Sequence, residues 1–116
     1  MIAHLVLFRL RAGLSAVERA DLIQAFDAGL RTIPSVRRAR VGRRVLHGAG
    51  YEPAASDFPY VAELAFDDVE GLQAYLRHTA HEGPAQRFFA LTEATMVFDY
   101  EMVEGEAVAA AAASWD

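Results

Sequence analysis

Cysteine and lysine are absent from the 116 residues, and each absence excludes something. Without cysteine there is no disulfide, no thiolate nucleophile and no cysteine-based metal centre. The eleven basic residues are all arginine, asparagine is missing too, and alanine is abundant. That bias looks like GC-rich coding and carries no functional weight. Excess positive charge is also lacking: the formal net charge of −5 argues against a nucleic-acid partner. No apolar run reaches the roughly 18 residues that suggest a membrane span, and no signal-peptide pattern opens the chain. A soluble, cytoplasmic protein that uses no membrane is the expectation. No phosphate loop or dinucleotide fingerprint occurs.

What is present is one domain's worth of chain with an apolar content of 53%, above the usual 45 to 50%. Ala3 to Leu10 is rich in β-formers and reads as a first strand. Ser15-Ala16-Val17-Glu18 is a capping box. It opens a helix with an apolar stripe of Val17, Leu22, Ile23, Phe26, Leu30 and Ile33, stopped by Pro34. A second strand is expected from Val36 to Leu46 with Gly42 marking a bulge, then an exposed loop from His47 to Asp57. Tyr60 to Phe66 is a third strand, apolar on both faces except for Glu63. Asp67 or Asp68 caps a second helix with Val69, Leu72, Gln73 and Leu76 in register. Gly83-Pro84 is expected to break the chain before a short helical piece carrying Phe88, Phe89 and Leu91, and Ala94 to Met102 is the last strand.

The order β-α-β-β-α-β is that of an α+β, ferredoxin-like fold, a four-stranded antiparallel sheet with both helices on one face. The other face is then bare. At about 25 cal/mol per Å², leaving several hundred Å² of apolar sheet in water is costly, so a homodimer through the open sheet face is expected. Residues 1–103 form the expected domain and residues 104–116 an Ala-rich tail, frayed or docked by Trp115.

Chemistry concentrates in Tyr75-Leu76-Arg77-His78-Thr79-Ala80-His81. If this stretch stays helical, residues 75 and 78 share a side, with His81 close behind. Pairing the first and last strands with His4 opposite Asp99 puts His4, Val6 and Phe8 on one face with Thr95, Val97 and Asp99. A carboxylate beside an imidazole favours the imidazolium and can fix its tautomer. Tyr75 and His81 brought over this wall would suit proton abstraction beside a carbonyl, with His81 as base and Tyr75 bonding the oxygen. The substrate-binding candidates are His4, Val6, Phe8, Glu63, His78, Val97 and Asp99, around a small apolar or aromatic ligand.

Structural readings stand beside these. Tyr75 alternatively is a core aromatic, and His78 and His81 alternatively complement a helix dipole. His4 with Asp99, and Glu63, are alternatively satisfied buried polar groups. No metal is expected, since His-x-x-His lacks a third ligand. The cluster Arg37, Arg38, Arg40, Arg43 and Arg44 reads as protection of a sheet edge or else as an anion site.

The motifs His4-x-Val6-x-Phe8, Ile33-Pro34-Ser35-Val36, Gly50-Tyr51, the Phe66 strand end, Tyr75-x-x-His78-x-x-His81 and Phe98-Asp99-Tyr100 together resemble the stress-responsive A/B barrel (Dabb) family over about residues 3 to 102. The resemblance implies two ferredoxin-like units pairing as a dimeric α+β barrel, each with a pocket between sheet and helices. It also implies, by likeness to one plant branch, a cofactor-free polyketide cyclase working by aldol condensation. There the residues matching Tyr75 and His81 carry the chemistry, with those matching His4, His78 and Asp99 in the pocket. This chain departs from the family's common His-Pro-x-His at Thr79, in a longer loop after strand two and in its tail. A non-catalytic stress-protective or ligand-binding dimer and a cofactor-free or haem-associated monooxygenase are the other function classes.

Overall fold

The computed structural model describes residues 1–115. The elements run β1 (Ile2–Leu10), α1 (Ala16–Thr32), β2 (Arg38–Arg43), a short 3₁₀ turn (Glu52–Ala54), β3 (Tyr60–Phe66), α2 (Val69–Arg77), α3 (Thr79–Leu91), β4 (Thr92–Glu101) and α4 (Ala107–Ser114). The four strands form one antiparallel sheet in the order β2-β3-β1-β4, the ferredoxin-like arrangement.

Local signals act largely as their chemistry dictates. The Ser15 hydroxyl accepts from the Glu18 N–H, and the Glu18 carboxylate accepts from the Ser15 N–H, both at 3.1 Å. Asp68, not Asp67, caps α2 by accepting from the Gly71 N–H at 2.8 Å. Asp67 instead accepts from Arg37 at 2.8 Å. β2 is shorter than expected, and its register runs unshifted through Gly42, which sits opposite Val61. A Cβ at Gly42 would stand 3.2 Å from Val61 Cγ1, so this glycine relieves crowding and makes no bulge.

The largest departure lies between residues 75 and 85. The chain is not helical through His78: α2 ends at Arg77, and His78 is extended at φ −67°, ψ 137°. Its Nδ1 accepts from the Ala80 N–H at 3.0 Å, so the imidazole caps α3. Gly83-Pro84, expected to break the chain, instead lies within α3. Pro84 stands one turn past the helix start, and the N–H it lacks would have met the Ala80 carbonyl. That carbonyl and the Pro84 ring face Gly29 of α1; a Cβ there would meet them at 3.3 and 3.0 Å. Glycine lets α1 and α3 cross closely at this point, which helical periodicity does not reveal.

Strand alternation divides the sheet into two faces. Ile2, His4, Val6 and Phe8 point toward the helices with Leu64 and Phe66, and their β4 partners are Glu101, Asp99, Val97 and Thr95. The core of Ile2, Ile33, Leu64, Phe66, Leu72 and Tyr75 lies on this side. The opposite face carries Leu5, Leu7, Val61, Met96, Phe98 and Tyr100 in register. Phe98 and Tyr100 stay 38% and 50% exposed. α4 starts after the five residues Met102–Glu106 that follow β4 and buries none of its side chains. Trp115 is 59% exposed, so it does not dock the tail onto its own protomer.

Candidate active site

A cavity of about 230 Å³ opens between the helix-facing side of the sheet and the helices. Val6, Ala62 and Leu64 form its floor, Phe26 of α1 and Leu76, Pro84, Phe88 and Phe89 of the α2–α3 segment its roof, and Val97 of β4 one side. Its polar side chains are His4, Tyr75 and His81.

Tyr75 is placed by the amphipathic face of α2, which also buries Leu72. Its ring sits 5.3 Å from that of Phe66 and 5.9 Å from that of His4. Burial disfavours the phenolate and pushes the Tyr75 hydroxyl up to about 12, so it remains a hydrogen-bond donor.

His81 arrives by a different route from the one its spacing suggests. Because the chain turns at His78 and restarts as α3, His81 folds back over the end of α2. Its ring meets Tyr75 edge-on with centroids 4.5 Å apart. Burial is the main cause that lowers the His81 pKa from the ordinary imidazole value, helped by the nearby His4. A hydrogen bond to the Leu76 backbone and the Glu82 carboxylate oppose the shift without cancelling it. At neutral pH this imidazole is therefore neutral and able to accept a proton.

On the sheet side, His4 Nδ1 lies 2.6 Å from Asp99 Oδ1, across the pairing of β1 with β4 read from the sequence. His4 is buried at 6% exposure, while the Asp99 side chain is 46% exposed. An ionised carboxylate only accepts, so this contact sets a proton on Nδ1 and fixes the ring's orientation.

The structure thus brings His4, Val6, Tyr75, His81 and Val97 together around one cavity. Asp99 stands behind His4, and Phe8 supports the far end, stacked on Tyr60 at 5.5 Å and edge-on to Phe88 at 5.0 Å. Two candidates are elsewhere. His78 is turned to its own helix start. Glu63 pairs with Leu5, not with His4, and so faces the open side of the sheet. There it accepts from Arg40 at 2.7 Å, with Arg38 3.6 Å away. The expectation that Glu63 enters the pocket fails because strand alternation sends its neighbours Ala62 and Leu64 inward. Nothing in the sequence marks the roof residues Phe26, Leu76, Pro84, Phe88 and Phe89 as a cavity wall. Phe26 belonged to the apolar stripe of α1, but nothing in its spacing separates a cavity wall from a core.

Among the described residues, no three His, Asp or Glu side chains gather as a metal set. Among the same described residues, no helix is long and apolar enough to cross a membrane.

Residues 2–102 match the stress responsive A/B barrel domain family. The chain belongs to that family. It is 21% identical over 99 residues to olivetolic acid cyclase from Cannabis sativa, covering 85% of this chain and 94% of that protein. Among solved structures, a hydroxynitrile lyase from Passiflora edulis superposes with a TM-score of 0.76 at 21% identity, covering 90% of this chain and 94% of the lyase. A dimeric ferredoxin-like protein of unknown function from Thermobifida fusca gives 0.69 at 18% identity, covering 87% and 90%. At such identities the structural likenesses speak for the fold alone.

Proposed function

We propose that this A/B barrel protein is a cofactor-free acid–base catalyst acting beside a carbonyl of a small, largely apolar molecule. The observation that carries this reading is the edge-on meeting of Tyr75 and His81, 4.5 Å between ring centroids, inside a largely apolar cavity that His4 also lines. The two groups are tuned in opposite directions: the imidazole is a free base at neutral pH and the phenol keeps its proton. Pairs of titratable groups driven apart in this way divide naturally into acceptor and donor roles.

In the step that fits, His81 removes a proton from the carbon next to a carbonyl, and the Tyr75 hydroxyl donates a hydrogen bond to the oxygen as negative charge builds there. The enolate carbon then attacks a second carbonyl of the same molecule, forming a carbon–carbon bond. The proton held on His81 returns to the new alkoxide, so the step balances without an outside reactant. His4, held by Asp99, orients the substrate or its oxygen. The relative named a cyclase favours starting from carbonyl substrates. The dimeric neighbour and the exposed apolar sheet face support a homodimer.

The test is product analysis with linear poly-β-keto thioesters. His81→Ala should lower turnover by roughly 10²- to 10⁴-fold and Tyr75→Phe by roughly 10²- to 10³-fold, with far-UV circular dichroism unchanged. Wild-type rates in both variants would sink the catalytic reading. Saturable binding of such compounds with no turnover in the parent protein would instead leave a ligand-binding dimer.

A further inference from the structure

We infer that α4 and Trp115 form a clasp that seats on a second copy of this chain, beside the start of its β2. The segment lies outside the family match, which ends at residue 102. From Ala107 to Trp115 it carries no charge, yet Val108 is 46% and Trp115 59% exposed. An isolated helix of eight residues is unstable in water, because nucleation costs more than so few backbone bonds return. Its stability must come from packing, and its own protomer buries none of its side chains.

Charge says where the second copy lies. Residues 37–44, on the β2 edge, hold five arginines and no acid, whereas residues 92–106, on the β4 edge and its linker, hold Glu93, Asp99, Glu101, Glu104 and Glu106 and no base. A two-fold that faces the two sheets brings either like edges or opposite edges together. Like edges would set these arginines against one another, with only Asp67 and Glu63 of the same protomer to offset Arg37, Arg38 and Arg40. Opposite edges set basic against acidic twice, which electrostatic complementarity favours.

Strand direction then fixes the register. Three antiparallel steps separate β2 from β4, so the two run oppositely, and a two-fold along the strands keeps their directions. The end of β4, with Glu101, Glu104 and Glu106, thus comes beside the basic start of the partner's β2. Met102 is tied there by its N–H to the Met1 carbonyl at 2.8 Å. The linker Val103–Glu106 reaches at most about 14 Å, so α4 stays at this junction. The same acidic flank opposes an anionic lipid surface as the alternative occupant.

Trp115 is the sole tryptophan, so its fluorescence reports this contact alone. The full chain is followed by sedimentation and by tryptophan emission across a dilution series, beside a chain ending at Val103, Trp115→Ala, Glu104→Arg, Arg38→Glu and the double charge swap. The expected result is blue-shifted, quencher-shielded emission in the dimer that turns water-like on dilution. Removing the tail should weaken association at least about tenfold while cooperative unfolding persists. Each single charge reversal should weaken it too, and the swap should restore it. Water-like emission at concentrations where the dimer sediments, an unchanged dissociation constant for the shortened chain, or a monomer throughout would each overturn the inference. So would a blue shift that appears only on adding phosphatidylcholine vesicles.

Discussion

The two faces of the sheet are built from the same strands, one residue out of phase, and they have opposite chemistry. The helix-covered face buries Leu64 and Phe66 almost completely, at 1% and 0% exposure, and gathers His4, Tyr75 and His81 around one cavity, with the half-exposed Asp99 behind His4. The open face keeps Met96, Phe98 and Tyr100 partly in solvent and carries its charges as the Glu63, Arg38 and Arg40 cluster. Burial on one side shifts the proton affinities of Tyr75 and His81, while solvation on the other lets ion pairs contribute little. A single strand therefore delivers a core and an exposed apolar face by alternation alone, and a one-residue change of position moves a side chain from one to the other.

The most forceful way to break this comparison is to hollow out the covered face. Phe66→Ala removes a fully buried ring from the centre of the core and should cost about 3–5 kcal/mol, read as a lower urea midpoint with an unchanged slope. Phe98→Asp makes an equally drastic change on the open face. The expected outcome there is loss of the dimer in sedimentation, with the fold of the protomer retained.

Much of that contrast is legible in the sequence, and the reason lies in which signals are local. The capping box at Ser15 follows from side-chain chemistry and the strand Tyr60 to Phe66 from a short run of β-formers, whereas setting His4 opposite Asp99 is a choice of register between distant strands that the β1–β4 ladder bears out. What was not legible depended on contacts between distant segments. His78 reads as part of a helix, but its imidazole does better as a cap on the Ala80 N–H. Pro84 reads as a breaker, yet it survives in α3 where its ring packs against Gly29. Glu63 sits in the most apolar strand and reads as a buried acid, although its place in the alternation turns it outward. Tyr75 and His81 lie side by side for a reason that helical spacing does not supply, since the turn at His78 brings them together.

The proton affinities sharpen the comparison at its covered side. Tyr75 is raised to about 12 in the folded protein, so folding gains from it fully below the ordinary tyrosine value of about 10. That gain is lost as pH rises from there through about 12. By linkage the loss is on the order of 3 kcal/mol, measured as a falling urea midpoint that Tyr75→Phe removes. His81 is lowered, so the sign reverses: its contribution is present above the ordinary value of about 6.5 and disappears as pH falls through the folded value. The acid limb of kcat/KM should accordingly lie below pH 6.5. The groups facing His81 are Tyr75, His4, Glu82 and the Leu76 carbonyl, and Glu82→Gln should move that limb further down, because it removes a charge that favours the imidazolium.

The smallest effect is expected from a carboxylate that the sequence placed beside the site and the structure places behind it. Glu63→Gln keeps the shape of the side chain, removes its charge and leaves Arg38 and Arg40 without their acidic partner. Both arginines are more than half exposed, so water screens the loss, and stability should change by less than about 1 kcal/mol. Turnover should not change, because the sheet backbone separates this group from the cavity. Asp99→Asn is the matched change on the covered side, and there the loss of charge beside His4 should lower kcat by at least about tenfold with little change in KM. A pair of rate measurements on these two isosteric substitutions would separate the faces by chemistry alone. Equal losses in both would mean that charge on the open face reaches the cavity through the sheet, and the division of roles between the faces would have to be abandoned.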